Sequence, residues 1–161
     1  MLLCASLVSI SFCSFICDQA GAAESTEDSI ALYADAANFQ TGGATELAID
    51  SWKKFLDRYP DDDLESKAAP YLGVCYMQKN DPDYVAAAVA FSTALRYKKY
   101  DLREESLANQ GWCLYASAGE GQKRDPTRLK QTIATFETLR KENPNSEYID
   151  RAYFYSGEAA Y

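Results

Sequence analysis

The chain has 161 residues, a formal net charge of −8, a pI near 4.6 and no histidine. The acidity argues against nucleic acid and anionic membrane surfaces as partners, because both repel a negatively charged chain. The lack of histidine excludes histidine triads, histidine-ligated metals and histidine acid–base chemistry.

Residues 2–17 form a charge-free apolar run that Asp18 ends, and Ala20-Gly21-Ala22 follows as an A-x-A cleavage pattern. We read 1–22 as a secretory signal peptide cut after Ala22, which directs the rest to the periplasm, the cell envelope or the extracellular space. The alternative is a buried first helix; the run is short and rich in small residues for a bilayer span. Cys4, Cys13 and Cys17 would leave with this segment. Cys75 and Cys113 each follow a glycine, Gly73 and Gly111, by two residues, so they hold equivalent places. Both read as small apolar fillers on a buried helix face. Stacked equivalents would stand on the order of 10 Å apart, too far for a disulfide.

After the leader, Ser25-x-x-Asp28 has the form of a capping box. A first helix is predicted over 29–40, with Leu32, Ala36 and Phe39 on one face, and Thr41-Gly42-Gly43 breaks it. A second helix over 45–59 carries Ala48, Trp52 and Phe55. It ends at Pro60 and the acidic run Asp61-Asp62-Asp63, which reads as a solvated turn.

Residues 69–91 predict two helices in close approach. A mid-helix glycine costs about 1 kcal/mol relative to alanine, so Gly73 signals a packing need, as does the small Ala87. Leu72, Tyr76 and Phe91 would fill the space around that contact, with Ala94 completing the face. Asp81-Pro82 marks the start of the second helix, as cap and first helical position.

A third pair begins at Asp101-x-x-Glu104. Leu107, Gly111 and Leu114 echo Ala69, Gly73 and Tyr76, and the second helix carries Thr132, Phe136 and Leu139, then Pro144. The link over 116–125 is long and rich in Gly, Lys and Glu, and is expected to be mobile and exposed. Asp125-Pro126 closes it as a helix start. A fourth unit follows Asn143-Pro144-Asn145-Ser146, where Tyr153, Gly157 and Ala160 repeat the first-helix signature. The end at 153–161 is apolar and aromatic, with no polar cap of the kind that terminates a repeat array. A longer repeat protein is the expectation, and a lone capping helix is the alternative.

Leu72-Gly73 three residues before Tyr76, followed by Ala87-x-x-x-Phe91, has the order and spacing of the tetratricopeptide (TPR) pattern. Units of about 29–62, 66–100, 104–146 and a partial 150–161 cover nearly all of 23–161. The run from Trp52 (W-K-K-F-L-D-R-Y-P-D-D) and that from Lys67 (K-A-A-P-Y-L-G-V-C-Y) resemble TPR proteins of the bacterial envelope. The likeness is to the outer-membrane-assembly lipoprotein and Tol–Pal cell-division-coordinator types. The resemblance implies an all-α fold, a right-handed α-solenoid of antiparallel helix pairs, with about three and a half repeats. It also implies a concave groove, lined by the first helix of each pair, that holds a partner segment.

In that register the groove residues are Tyr33, Gln40, Lys67, Met77, Gln78, Trp112, Tyr115, Phe154 and Glu158. Trp112 is either an aromatic anchor for a partner or a packing residue against the neighbouring repeat. The places Tyr33, Ala37, Pro70, Val74, Ala108 and Trp112 do not supply the Lys and Asn of a carboxylate clamp.

No G-x-S-x-G, P-loop or G-x-G-x-x-G is present, and the acidic runs lack calcium-loop spacing. The expectation is therefore a non-catalytic scaffold for a protein or peptide partner, with no catalytic residue, metal, cofactor, nucleic acid or small-molecule substrate. Two alternatives remain: the accessory repeat region of a larger envelope enzyme, and a self-associating array built on the 153–161 end.

Overall fold

The computed structural model describes residues 24–161; the expected signal peptide and Cys4, Cys13 and Cys17 lie outside them. The fold is all-α. Seven α-helices and one short 3-10 turn form among the described residues, with no strand. The helices are α1 (Glu27–Thr41), α2 (Thr45–Arg58), α3 (Glu65–Gln78), α4 (Tyr84–Leu95), α5 (Arg103–Ser117), α6 (Pro126–Glu142) and α7 (Ile149–Ala160), and the 3-10 turn spans Gly121–Lys123. Each α-helix packs on its successor, and α5 also reaches α7. The buried residues accordingly group in three clusters strung along the chain.

Helix starts show where local signals hold and where distant partners redirect them. Asp125 caps α6 as expected: its carboxylate accepts from the Thr127 amide at 2.8 Å, with Pro126 in the first turn. The other three expected starts are corrected. The first capping box is Thr26/Ser29, not Ser25/Asp28, because the Ser25 hydroxyl donates instead to Asp62 at 2.5 Å. The cap of α4 is Asp83, which accepts from Ala86 at 2.9 Å; Asp81 and Pro82 stay in the linker. No side chain caps α5, because the Glu104 carboxylate is taken by the Ser146 hydroxyl across the fold.

Burial refines the expected faces. Ala36, Ala48, Trp52 and Phe55 are fully buried. Phe39 is exposed, because the inward stripe of α1 runs through buried Ser29 and Ala36 and half-buried Tyr33 and Gln40 and leaves Phe39 at its margin. The 116–125 link is not a free loop. Ala118 is buried, its carbonyl accepts from the Asp125 amide at 2.7 Å, and Arg128 donates to the Ser117 carbonyl at 2.5 Å. The bend itself needs Gly119 and Gly121, at φ +87° and +60°.

The acidic turn is also more structural than its charge suggests. Asp61 and Asp63 are exposed, but Asp62 is buried. Burial pushes its carboxyl upward, and the Ser25 hydroxyl, the Leu64 amide and the Ser29 hydroxyl outweigh it. The group therefore lies below the usual carboxylate range. A folded-state value below the unfolded one, about 4, gives stability that is full above that value and lost as pH falls through the folded one. Asp62→Asn is expected to cost about 1 kcal/mol near neutrality, with the deficit shrinking as urea titrations are repeated toward pH 3. A constant deficit across that range would show that the charge on Asp62 contributes nothing.

Two glycines set the spacing of the helix pairs. A Cβ placed on Gly73 would stand 2.7 Å from Phe91 Cζ, and one on Gly111 would stand 2.6 Å from Phe136 Cζ. Each glycine is thus a seat for a ring from the following helix, and both rings are buried too deeply to retreat. Overpacking costs typically 1–3 kcal/mol, which outweighs the helix-propensity gain of about 1 kcal/mol from Gly to Ala. Gly73→Ala and Gly111→Ala should each lose on the order of 1 kcal/mol in denaturant unfolding. A stabilised Gly111→Ala chain would contradict the packing at Phe136.

Candidate functional site

Two aromatic clusters arise from the helix pairs. The first joins α1, α2 and α3. Tyr33 stands edge-on to Trp52 at 4.9 Å and to Phe55 at 5.7 Å, with Tyr71 at 6.5 Å. The Trp52 indole N–H donates to Gln40 Oε1 at 2.9 Å. Burial, with help from Tyr71, pushes the Tyr33 hydroxyl up to about 12. Tyr33 and Gln40 are therefore bound into the α1–α2–α3 packing.

The second cluster joins α4, α5 and α7. Trp112 lies 4.9 Å from Tyr155 and 6.1 Å from both Tyr84 and Tyr115, ring to ring. Tyr115 and Tyr155 are 4.8 Å apart, and Phe154 meets Tyr155 edge-on at 5.0 Å. Trp112 thus packs between neighbouring helix pairs while remaining half-buried. The 3-10 turn supplies the far wall. Arg124 stacks over the Tyr115 ring at 4.7 Å and donates to the Glu158 carbonyl at 3.2 Å. The Tyr115 hydroxyl faces the Glu158 carboxylate at 3.5 Å. Between these walls lies a cleft of about 460 Å³, bordered by Tyr84, Trp112, Tyr115, Glu120 and Arg124. It combines aromatic faces with one cation and carboxylates at the rim.

Of the nine residues expected in a groove, Trp112 and Tyr115 line the cleft, while Phe154 and Glu158 only touch the surrounding cluster, through Tyr155 and through Tyr115 and Arg124. Met77 is half-buried against the cluster of Ala87, Ala88, Phe91 and Cys113. Lys67 and Gln78 are exposed and make no side-chain hydrogen bond or ion pair among the described residues. Tyr84 and Arg124 also line the cleft, Tyr155 packs behind it on Trp112 and Tyr115, and none of the three was anticipated. Tyr155 follows buried Ala152 by one helical step of three, a periodicity that could have marked it. Arg124 depends on the fold of the 116–125 link, for which no local pattern speaks.

A second cleft, of about 420 Å³, lies across α2, α3 and α4, with Leu56, Leu72, Tyr76 and Val89 among its walls. At its edge Glu65 is buried and accepts from Arg96 at 2.5 Å and from the Tyr97 hydroxyl. No trio of metal-ligating side chains gathers among the described residues. No described helix is long and apolar enough to cross a membrane.

Comparison with models of protein families gives no match, and comparison with curated proteins gives none either.

Cys113 is buried in the cluster that Tyr84 and Trp112 pack against. Both Cys75 and Cys113 are buried free thiols, and burial pushes them up to about 11 and about 12 respectively. Thiolate is the reactive form, so both should resist alkylation at pH 8 in the native chain. Mass mapping after iodoacetamide should find them modified only in denaturant; rapid native labelling of Cys113 would show that the cluster opens.

Proposed function

We propose that this chain is an exported TPR-type protein of the bacterial envelope that catalyses nothing and holds a protein or peptide segment. In this reading the helix pairs form a right-handed α-solenoid of about three and a half repeats. The partner lies along the face offered by the first helix of each pair. The observation that carries the reading is the cleft between Tyr84, Trp112, Tyr115 and Arg124. Large aromatic faces with a polar rim are the surface that protein recognition favours. They provide contact area at little entropic cost, and a rim charge fixes orientation. The partner's anchor is an apolar or aromatic side chain inserted over Trp112 and Tyr115.

Three further observations support it. Each helix packs chiefly on its neighbours in sequence. The glycine seats at Gly73 and Gly111 recur at one register, as a repeat requires. The 2–17 run with its A-x-A pattern supports export.

The test is site-directed photocrosslinking in the envelope of the producing cell. A benzoylphenylalanine at Tyr115 should capture a discrete partner that the same probe at exposed Lys130 on α6 does not. Tyr115→Ala should weaken binding of the captured partner at least ~10-fold, the cost of losing an interface anchor, with little change in melting temperature. Identical crosslinks from both positions, or none, would sink the cleft as the partner site.

A further inference from the structure

The second helices of successive pairs share one register, with Ala48 of α2, Ala87 of α4 and Thr132 of α6 buried at the same place. Counted from there, the outward stripe of α2 is Glu46, Asp50, Lys53 and Asp57, and that of α6 is Lys130, Ala134, Glu137 and Lys141, all exposed. In α4 the same places are Val85, Val89, Ser92 and Arg96, also exposed. The whole of α4, YVAAAVAFSTAL, carries no charged residue, and Val85 and Val89 are 45% and 63% exposed. A helix that is apolar on its outer side as well as its inner one is suited to being covered on both. This face is not an end of the helix row, since α3 and α5 both pack on α4. Its apolar surface continues into the neighbouring cleft, whose walls include Leu56, Leu72 and Ala86.

We propose that the outer face of α4 is a self-association site, covered by the same face of a second copy running in the opposite direction. Charge sets the direction. Exposed Asp81 and Asp83 stand at the start of α4, and exposed Arg96, Lys98 and Lys99 stand at its end. Arg96 pairs with Glu65 while its side chain stays 65% exposed, and the other four make no ion pair among the described residues. Val89 lies midway: at 1.5 Å per helical residue it is about 9 Å from Asp83 and about 10 Å from Arg96 along the axis. A reversed copy centred on Val89 therefore sets acid against base at both ends, whereas a parallel copy sets like against like. The patch is thus complementary to itself, which is what a two-fold contact requires.

Sedimentation of the purified chain should show a dimer that dissociates in the micromolar range, the weak end for an interface of ordinary size. Val89→Lys brings two like charges together at the axis and should weaken the dimer at least ~10-fold. Ala134→Lys, the same kind of change at the same place on α6, should leave it unchanged. Both positions are exposed, so both variants should melt as wild type does. Oxidative cross-linking reads the direction independently. Val89→Cys places two thiols across the axis and should give a disulfide-linked dimer beyond any that wild type forms. Val85→Cys should not, because reversal sets the two copies of that residue about 12 Å apart along the helix, past the reach of a disulfide at about 7 Å. Four outcomes overturn the proposal. They are a wild-type chain that stays monomeric up to ~100 μM, a Val89→Lys chain that dimerises as tightly as wild type, equal weakening by Ala134→Lys, and cross-linking of Val85→Cys equal to that of Val89→Cys.

Discussion

The contact on which the arrangement depends is a phenylalanine ring resting on a glycine of the preceding helix. At Gly73 and Gly111 the missing side chain leaves space that the ring of Phe91 or Phe136 fills. The distance between the two helices, and the depth at which the second one sits, follow from that fit. A glycine within a helix carries an intrinsic cost. Here the cost is offset by burial of an aromatic side chain, a gain of about 1.5–3 kcal/mol.

Polar ties fix the angle that the ring contact leaves free. Glu65 at the start of α3 accepts from Arg96 and Tyr97, just past α4. Glu104 in the first turn of α5 accepts from Ser146, just past α6. Arg103 grips both Glu142 oxygens, at 2.8 and 2.9 Å, and also donates to the Leu95 and Tyr97 carbonyls. Its guanidinium therefore answers orphan carbonyls at the end of α4 while holding the end of α6. The α3–α4 and α5–α6 pairs are each pinned twice, by apolar fit at mid-helix and by charged hydrogen bonds at one end.

What was legible in the sequence follows this division. Ala48, Trp52 and Phe55, and the glycine–phenylalanine places, could be read because helical periodicity and the cost of glycine are local facts. Ser25, Asp62 and Glu104 were misread because their side chains answer partners far along the chain, and no local capping rule foresees that. The cleft was half legible. Trp112 and Tyr115 lie at register positions, so the repeat pattern finds them. Tyr84 and Arg124 reach the cleft, and Tyr155 packs on its aromatic wall, through the meeting of α4, α7 and the Gly119–Gly121 bend, which only the folded backbone brings together.

Confinement of the larger contacts to neighbouring helices bears on how the chain behaves under load. Closing such contacts requires only short loops, so little chain entropy is lost before each pair is rewarded, and assembly is fast for the chain length. For the same reason no distant segment locks the whole. A pull on one end is borne by one joint at a time, and the three clusters can yield in turn rather than together. The described chain is in this respect a row of similar joints, each helix held mainly by the helices before and after it.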